Sequence, residues 1–69
     1  MRISARNQLK GTVRSVNHGA VMSEVVVDLG GQEVVAAITK ASAEGLGLSE
    51  GTEVTVIIKA TEVMVATGS

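Results

Sequence analysis

The chain has 69 residues, a formal net charge of −1, one histidine, no cysteine and no aromatic residue. Disulfide bonds and thiolate metal sites are therefore excluded, and the lone His18 cannot build a zinc site with the remaining ligand types. Because a chain this short buries only about 60% of its unfolded surface, we expect a single domain over residues 1–69 that is stabilised by oligomerisation.

The first polar stretch, residues 3–9, concentrates groups that donate hydrogen bonds. Ser4 brings a hydroxyl, Arg6 a guanidinium and residues 7 and 8 carboxamides, and cations but no acids precede Glu24. An anion at this end would meet donors without a competing negative charge, so the stretch predicts a site for a small oxyanion. The alternative is a polar start to a strand whose arginine is solvated or paired with the acidic remainder of the chain.

Three strands are predicted in the first half of the chain. Alternation of polar and apolar residues predicts a strand over residues 8–16, followed by a turn at residues 17–19. A second strand is predicted over residues 21–29, and Gly30 with Gly31 closes a hairpin of the two-residue kind. The third strand, residues 33–38, is apolar on both faces, which favours a central or interface position.

From Thr39 onward the pattern changes. Hydroxyls that can cap a helix precede alanine and glutamate, so we predict one short helix from Thr39 to Glu44, which Gly45 and Gly47 end. A fourth strand is predicted over residues 53–58, a bend over 59–62 and a fifth strand over 63–66. Five short strands with one helix between the third and fourth is the element order of an all-β, OB-type barrel.

Several functions are disfavoured by what the sequence lacks. Nucleic-acid-binding barrels stack bases on aromatic side chains, and none is present. An enzyme would need a nucleophile or a metal, but His18 has no acid near it in sequence and the serines and threonines have no evident base. No signal-peptide core and no run of about 20 apolar residues occurs, so we expect a cytoplasmic protein without membrane contact.

Three separated motifs carry a resemblance to a known family. Residues 4–11 have the sequence SARNQLKG, Thr39 is followed by Ser42, and residues 58–61 have the sequence IKAT. Together they closely resemble the molbindins, small cytoplasmic molybdate-binding proteins made of the Mop domain, which also occurs in molybdate-responsive regulators and transporter ATPases. The resemblance covers roughly residues 2–66, with the spacing intact.

The resemblance implies a homohexamer, a trimer of dimers, that holds oxyanions between subunits. One pocket would use Ser4, Arg6, Lys59 and the backbone of Ala60 from one subunit, with Thr39 and Ser42 from its neighbour. A second pocket would lie near the threefold axis and use main-chain amides of the turn after the first strand, where Asn17, His18, Gly19 and Ala20 stand.

The donor set suits molybdate chemically. Molybdate is a tetrahedral dianion that carries no proton at neutral pH, so a host needs only hydroxyls, amides and cations. Hydrogen phosphate keeps a proton, and burying it without an acceptor costs about 1–3 kcal/mol, so a pocket without carboxylates rejects phosphate. Sulfate has the same charge as molybdate and differs mainly in being smaller. Tungstate is nearly the same size as molybdate, so we expect the pocket to discriminate poorly between tungstate and molybdate.

Each residue also has a structural alternative. Arg6 could pair with Glu62 across an interface, Lys59 could be a solvated residue at a strand end, and Ser42 could cap the helix. A helix start with free amides also attracts anions, so the two roles of Ser42 can coincide. His18 could be an exposed turn residue; if it lines the second pocket, protonation of its imidazole would strengthen anion binding there.

The sequence thus predicts a non-enzymatic, oligomeric protein for intracellular molybdate storage or homeostasis, with tungstate as a second ligand and no cofactor. One alternative is an oxyanion-sensing regulatory or interaction module, because the same domain occurs fused to other segments. Met1 precedes the first motif closely, which favours a free-standing protein. A nucleic-acid-binding barrel is the weaker alternative, and its binding would depend steeply on salt.

Overall fold

The computed structural model of the protein describes residues 2–68; Met1 and Ser69, the ends of the predicted domain, lie outside the described residues. The elements are β1 (Asn7–His18), β2 (Met22–Asp28), β3 (Glu33–Thr39), α1 (Lys40–Gly45), β4 (Glu53–Ile58) and a 3-10 turn (Ala60–Glu62). The strands form one antiparallel sheet in the order β3-β2-β1-β4. The fold is therefore all-β with one short helix between the third and fourth strands, as predicted.

The long strand β1 serves two partners. Its first half pairs with β4, from Asn7 opposite Ile58 to Thr12, and its second half pairs with β2. Between the halves lies a bulge, because Val13 stands opposite Val27 while Ser15 stands opposite Val26, which leaves Arg14 as the extra residue. A bulge bends a strand and shifts the alternation of its side chains between the two faces. The bend allows β1 to pair with both β4 and β2.

The bulge also changes which side chains face inward. Simple alternation along β1 puts Val13 and Ser15 on the same face, but the structure buries Val13, leaves Ser15 exposed and half-buries Val16. Simple alternation therefore fails beyond Val13, because an extra residue moves every later side chain of the strand to the other face.

The core is small and built mainly from valine. Val13, Val25 and Val27 are buried together, and half-buried residues pack against them: Val16, Leu29, Ala36, Ile38, Leu48, Val54 and Val56. The helix α1 contributes Ala43, which is fully buried. β-branched residues fit this pleated interior without aromatic rings.

The fifth strand predicted over residues 63–66 is wrong. Val63 has an extended backbone, but residues 63–66 pair with no strand among the described residues and expose Met64 to 94% and Val65 to 89%. Strand-forming residues favour an extended conformation, but a strand also needs ladder hydrogen bonds to a partner. The described chain is consequently a curled, open four-stranded sheet rather than a closed five-stranded barrel.

The strand β3 lies at an edge of this sheet, so its predicted central position is wrong within one chain. Val35, on its outer face, is 60% exposed. The other alternative, that both faces of β3 are apolar because the strand lies at an interface between chains, remains a prediction.

The hairpin between β2 and β3 is confirmed. Gly30 and Gly31 have φ values of 94° and 116°, and the Leu29 amide donates to the Gln32 carbonyl at 2.7 Å. One carboxylate oxygen of Asp28 accepts from both glycine amides, at 2.8 and 3.2 Å. These two hydrogen bonds lower the pKa of Asp28 from its ordinary value of 3.8.

Gly11→Ala should destabilise the protein by about 1–3 kcal/mol. A Cβ at Gly11 would lie 2.6 Å from a methyl carbon of Val27 and 2.7 Å from the carbonyl oxygen of Asp28, and backbone cannot move aside cheaply. Gly45→Ala is the matched control, since an added carbon there meets nothing within 4 Å. Denaturant unfolding of both variants checks this, and equal losses of stability would contradict it.

Asp28→Asn should make the stability of the fold depend less on pH in acid. Because the folded-state pKa of Asp28 lies below 3.8, its charged form stabilises the fold above that value, and the contribution is lost as pH falls through the lowered pKa. Between about pH 7 and about pH 2, the unfolding temperature of the wild type should therefore fall more than that of the variant. Circular dichroism melts measure this; parallel curves would speak against it.

Candidate anion-binding site

The first predicted donors gather where β1 begins and β4 ends. Asn7 stands opposite Ile58, and the Asn7 carboxamide donates to the Ile58 carbonyl at 3.1 Å. Arg6 directly precedes this pair and Lys59 directly follows it, so the ladder register brings the two cations to the same end of the sheet. Both residues are exposed.

The two carboxamides of the polar stretch have structural roles. Besides the Asn7 bond, Gln8 Nε2 donates to the Ala5 carbonyl at 2.8 Å and so ties the segment before β1 to the strand. This leaves the Ser4 hydroxyl and the Arg6 guanidinium of the stretch for an external anion. Composition alone grouped all four side chains as donors, and the hydrogen bonds of Asn7 and Gln8 separate those two from Ser4 and Arg6.

The backbone adds a donor at the same end. Lys59 precedes the 3-10 turn, where the Glu62 amide donates to the Lys59 carbonyl at 2.9 Å. The Ala60 amide donates to no atom within residues 2–68. It is therefore free for a ligand within the described residues.

Charge pairing does not consume Arg6 or Lys59 within the described chain. The ion pair found among residues 2–68 joins Arg14 to Glu33 at 2.7 Å on the surface. The alternative in which Arg6 pairs with Glu62 is therefore not realised inside one chain, and its version across an interface remains open.

The Thr39 and Ser42 hydroxyls form a compact pair at the start of α1. Thr39 is the N-cap, and its Oγ1 accepts from the Ser42 amide at 3.1 Å while donating its hydrogen to Ser42 Oγ at 2.7 Å. Thr39 thus takes the capping role that we considered for Ser42. Because Ser42 Oγ accepts the Thr39 hydrogen, the Ser42 hydroxyl hydrogen stays free to donate outward.

These two donor groups lie at opposite ends of the sheet. Thr39 stands opposite Met22, next to the end of β1 at His18, whereas Arg6 lies beyond the other end of β1. A strand of 12 residues rises by about 3.3 Å per residue, which separates its ends widely. One chain therefore does not bring the first predicted pocket together.

The second predicted group lies at the same end as Thr39. The turn expected at residues 17–19 is wrong, because β1 continues through His18 and the connection spans residues 19–21. Gly19 does not need a positive φ; instead, a Cβ there would lie 2.9 Å from the Met22 carbonyl oxygen. The Lys40 amide donates to the Val21 carbonyl at 2.7 Å, which joins this turn to the start of α1.

One polar contact in this region was missed by the sequence reasoning. His18 Nδ1 lies 2.6 Å from Ser23 Oγ, and Ser23 is 1% exposed. The signal was present, because Ser23 occupies an inward position between apolar residues of β2.

Other kinds of site were sought among residues 2–68. No group of three or more histidine, aspartate or glutamate residues there could hold a metal ion. No described helix is long and apolar enough to cross a membrane.

Comparisons with known proteins agree on one family. The TOBE domain family matches residues 3–65. Molybdenum-pterin-binding protein 3 of Clostridium pasteurianum is 53% identical over 66 residues, covering 94% of this chain and 97% of that protein.

Two solved structures resemble the fold closely. A molybdate-binding protein from Sporomusa ovata has a TM-score of 0.93 and 46% identity, covering 97% of this chain and all of that one. ModG, described as a cytoplasmic molybdate-binding protein and solved with molybdate bound, has a TM-score of 0.82 and 43% identity, covering 87% of this chain and 43% of that one.

Thr39→Val should lower stability by about 1 kcal/mol, because the Ser42 amide loses the oxygen that caps the helix. Ser42→Ala should change stability little, since the amide keeps its bond to Thr39 Oγ1. Thermal unfolding of both variants measures the difference. A larger loss in Ser42→Ala than in Thr39→Val would contradict the assignment of Thr39 as the cap.

Proposed function

This chain belongs to the TOBE domain family, and we propose from that membership that it binds molybdate in pockets between subunits of a homohexamer. The identity to the molybdenum-pterin-binding protein and the likeness to two molybdate-binding structures support molybdate as the ligand. They also confirm the resemblance to the molbindins. A pterin would lack a stacking partner here because the chain has no aromatic residue, which favours the bare oxyanion.

The observation that carries the proposal is the separation of two incomplete donor sets. Ser4, Arg6, Lys59 and the Ala60 amide stand at one end of the sheet, and the Thr39 and Ser42 hydroxyls stand at the other. None of the groups in either set is itself a carboxylate. Where one end of a chain meets the other end of its neighbour, the two sets together surround a tetrahedral anion.

Exposed apolar residues support such an assembly. Val21, Leu46, Met64 and Val65 are each more than two-thirds exposed in the single chain. A small domain gains stability by covering such surface against another copy. We propose six copies, arranged as a trimer of dimers, on the strength of the resemblance to the molbindins.

The chemistry of the shared pocket follows from its hydrogen bonds. Arg6 offers a planar pair of N–H donors to two oxygens, and Lys59 adds a second cation. The bond from Thr39 to Ser42 Oγ polarises the Ser42 hydroxyl, which strengthens its own donation. A protonated phosphate finds no carboxylate acceptor among these groups, whereas molybdate and tungstate need no acceptor.

The role that fits this pocket is intracellular storage and buffering of the oxyanion. We propose a binding protein without catalytic activity, with the anion as its ligand, no cofactor and no nucleic-acid or membrane partner. The description of ModG as cytoplasmic supports a cytoplasmic location. A second pocket at the turn after β1 is proposed to use Asn17, His18, Gly19 and Ala20.

Arg6→Ala and Lys59→Ala should each weaken molybdate binding by roughly 10- to 100-fold, because each removes a charged hydrogen-bond donor. Lys10→Ala is the matched control: it removes one positive charge from β1, away from the proposed pocket. Native mass spectrometry with molybdate, sulfate and phosphate gives both the stoichiometry and the oligomeric state. A hexamer that takes up no molybdate, or equal losses in all three variants, would overturn the proposal.

Mixed assemblies test whether the pocket is shared. Hexamers formed from a mixture of Arg6→Ala and Ser42→Ala chains contain contacts in which one chain supplies Arg6 and the other supplies Ser42. Random mixing makes about one quarter of the pockets intact, so binding should partly return. If all residues came from one chain, every pocket would lack one donor and no binding would return.

A further inference from the structure

The contact between His18 and Ser23 is unusual for this chain because it joins an exposed ring to a buried hydroxyl. His18 ends β1 and stands opposite Ser23 near the start of β2. The ring nitrogen Nδ1 lies 2.6 Å from Ser23 Oγ, and Ser23 is 1% exposed. Ser23 Oγ has no other hydrogen-bond partner within residues 2–68.

This arrangement selects one tautomer of the imidazole. A buried hydroxyl hydrogen needs an acceptor, and the Nδ1 lone pair is the acceptor in reach. Nδ1 must then be unprotonated, so in the neutral ring the hydrogen sits on Nε2. In this tautomer the exposed edge of His18 presents an N–H donor.

The neighbouring backbone presents further donors. The Ala20 and Val21 amides, in the connection after β1, donate to no atom among the described residues. The hollow beside His18 is also lined by Glu24, and no lysine or arginine lines it. Donation to an anion in this hollow therefore does not come from a lysine or an arginine.

We propose that His18 donates a hydrogen bond through Nε2 to the oxyanion at the turn after β1, and that Ser23 is a positioning residue that fixes its tautomer. The proposal rests on the second pocket proposed above. In this proposal Ser23 does not contact the anion, but it affects anion binding by fixing the tautomer of His18. The proposal also distinguishes this pocket, whose hollow is lined by no lysine or arginine, from the first pocket, held by Arg6 and Lys59.

The single histidine makes a direct test possible. Long-range proton–nitrogen NMR of the assembled protein above neutral pH reports which ring nitrogen carries hydrogen. We expect Nε2–H in the wild type, a changed Nδ1 signal in Ser23→Ala, and its return in Ser23→Thr, which keeps a hydroxyl. Added sodium molybdate should move the Nε2 signal of the wild type.

Binding supplies the second readout. In native mass spectrometry and calorimetry with molybdate, His18→Ala should lose one class of sites and keep the class that depends on Arg6. Ser23→Ala should weaken the same class about threefold to tenfold, as expected for one neutral hydrogen bond, and Ser23→Thr should restore it. Glu24→Gln is the matched control in the same hollow and should not weaken binding.

The outcomes separate this inference from the proposed function. A wild type that takes up no molybdate overturns both. Normal uptake by His18→Ala and Ser23→Ala, with an unmoved Nε2 signal, overturns the inference and leaves the first pocket standing. A wild-type spectrum with the hydrogen on Nδ1 overturns it without any variant, so it remains falsifiable even where Ser23→Ala fails to fold.

Discussion

The pairing of one strand with two partners is the constraint on which the rest of the fold depends. β1 hydrogen-bonds to β4 along its first half and to β2 along its second. Two local features make this possible: the close approach of the end of β2 at Gly11 and the bulge at Arg14. A bent strand curls the sheet around a few valines, so a short chain without aromatic residues still encloses a core.

The same strand sets the distance between the proposed binding groups. Its start carries Arg6 to the end of β4, where Lys59 follows, and its end meets the side of the sheet where Thr39 caps the helix. The polar side chains that stabilise these ends are not the ones left for a ligand. Asn7 and Thr39 complete the fold locally, whereas Arg6 and Ser42 keep free donors.

The sequence predicted features that depend on near neighbours, such as the Gly30–Gly31 hairpin and the helix start at Thr39. It failed where the outcome depends on distant partners. Nothing around Arg14 signals a bulge, because the bulge arises where β1 pairs with two strands. Residues 63–66 have strand-forming character but pair with no strand among the described residues. The motifs indicated the candidate donors, but strand register was needed to place Arg6 beside Lys59 and far from Ser42.

The separation of the donors to opposite ends has a consequence for how such a protein would behave in a cell. If the pocket is shared as proposed, a dissociated chain would carry two incomplete donor sets and no complete pocket, so it would compete poorly for scarce anion. Occupancy would then rise with protein concentration as well as with anion concentration, since both favour the assembled state by mass action. The protein would then release bound anion at low protein concentration and retain it at high protein concentration. This dependence would need no separate sensor protein.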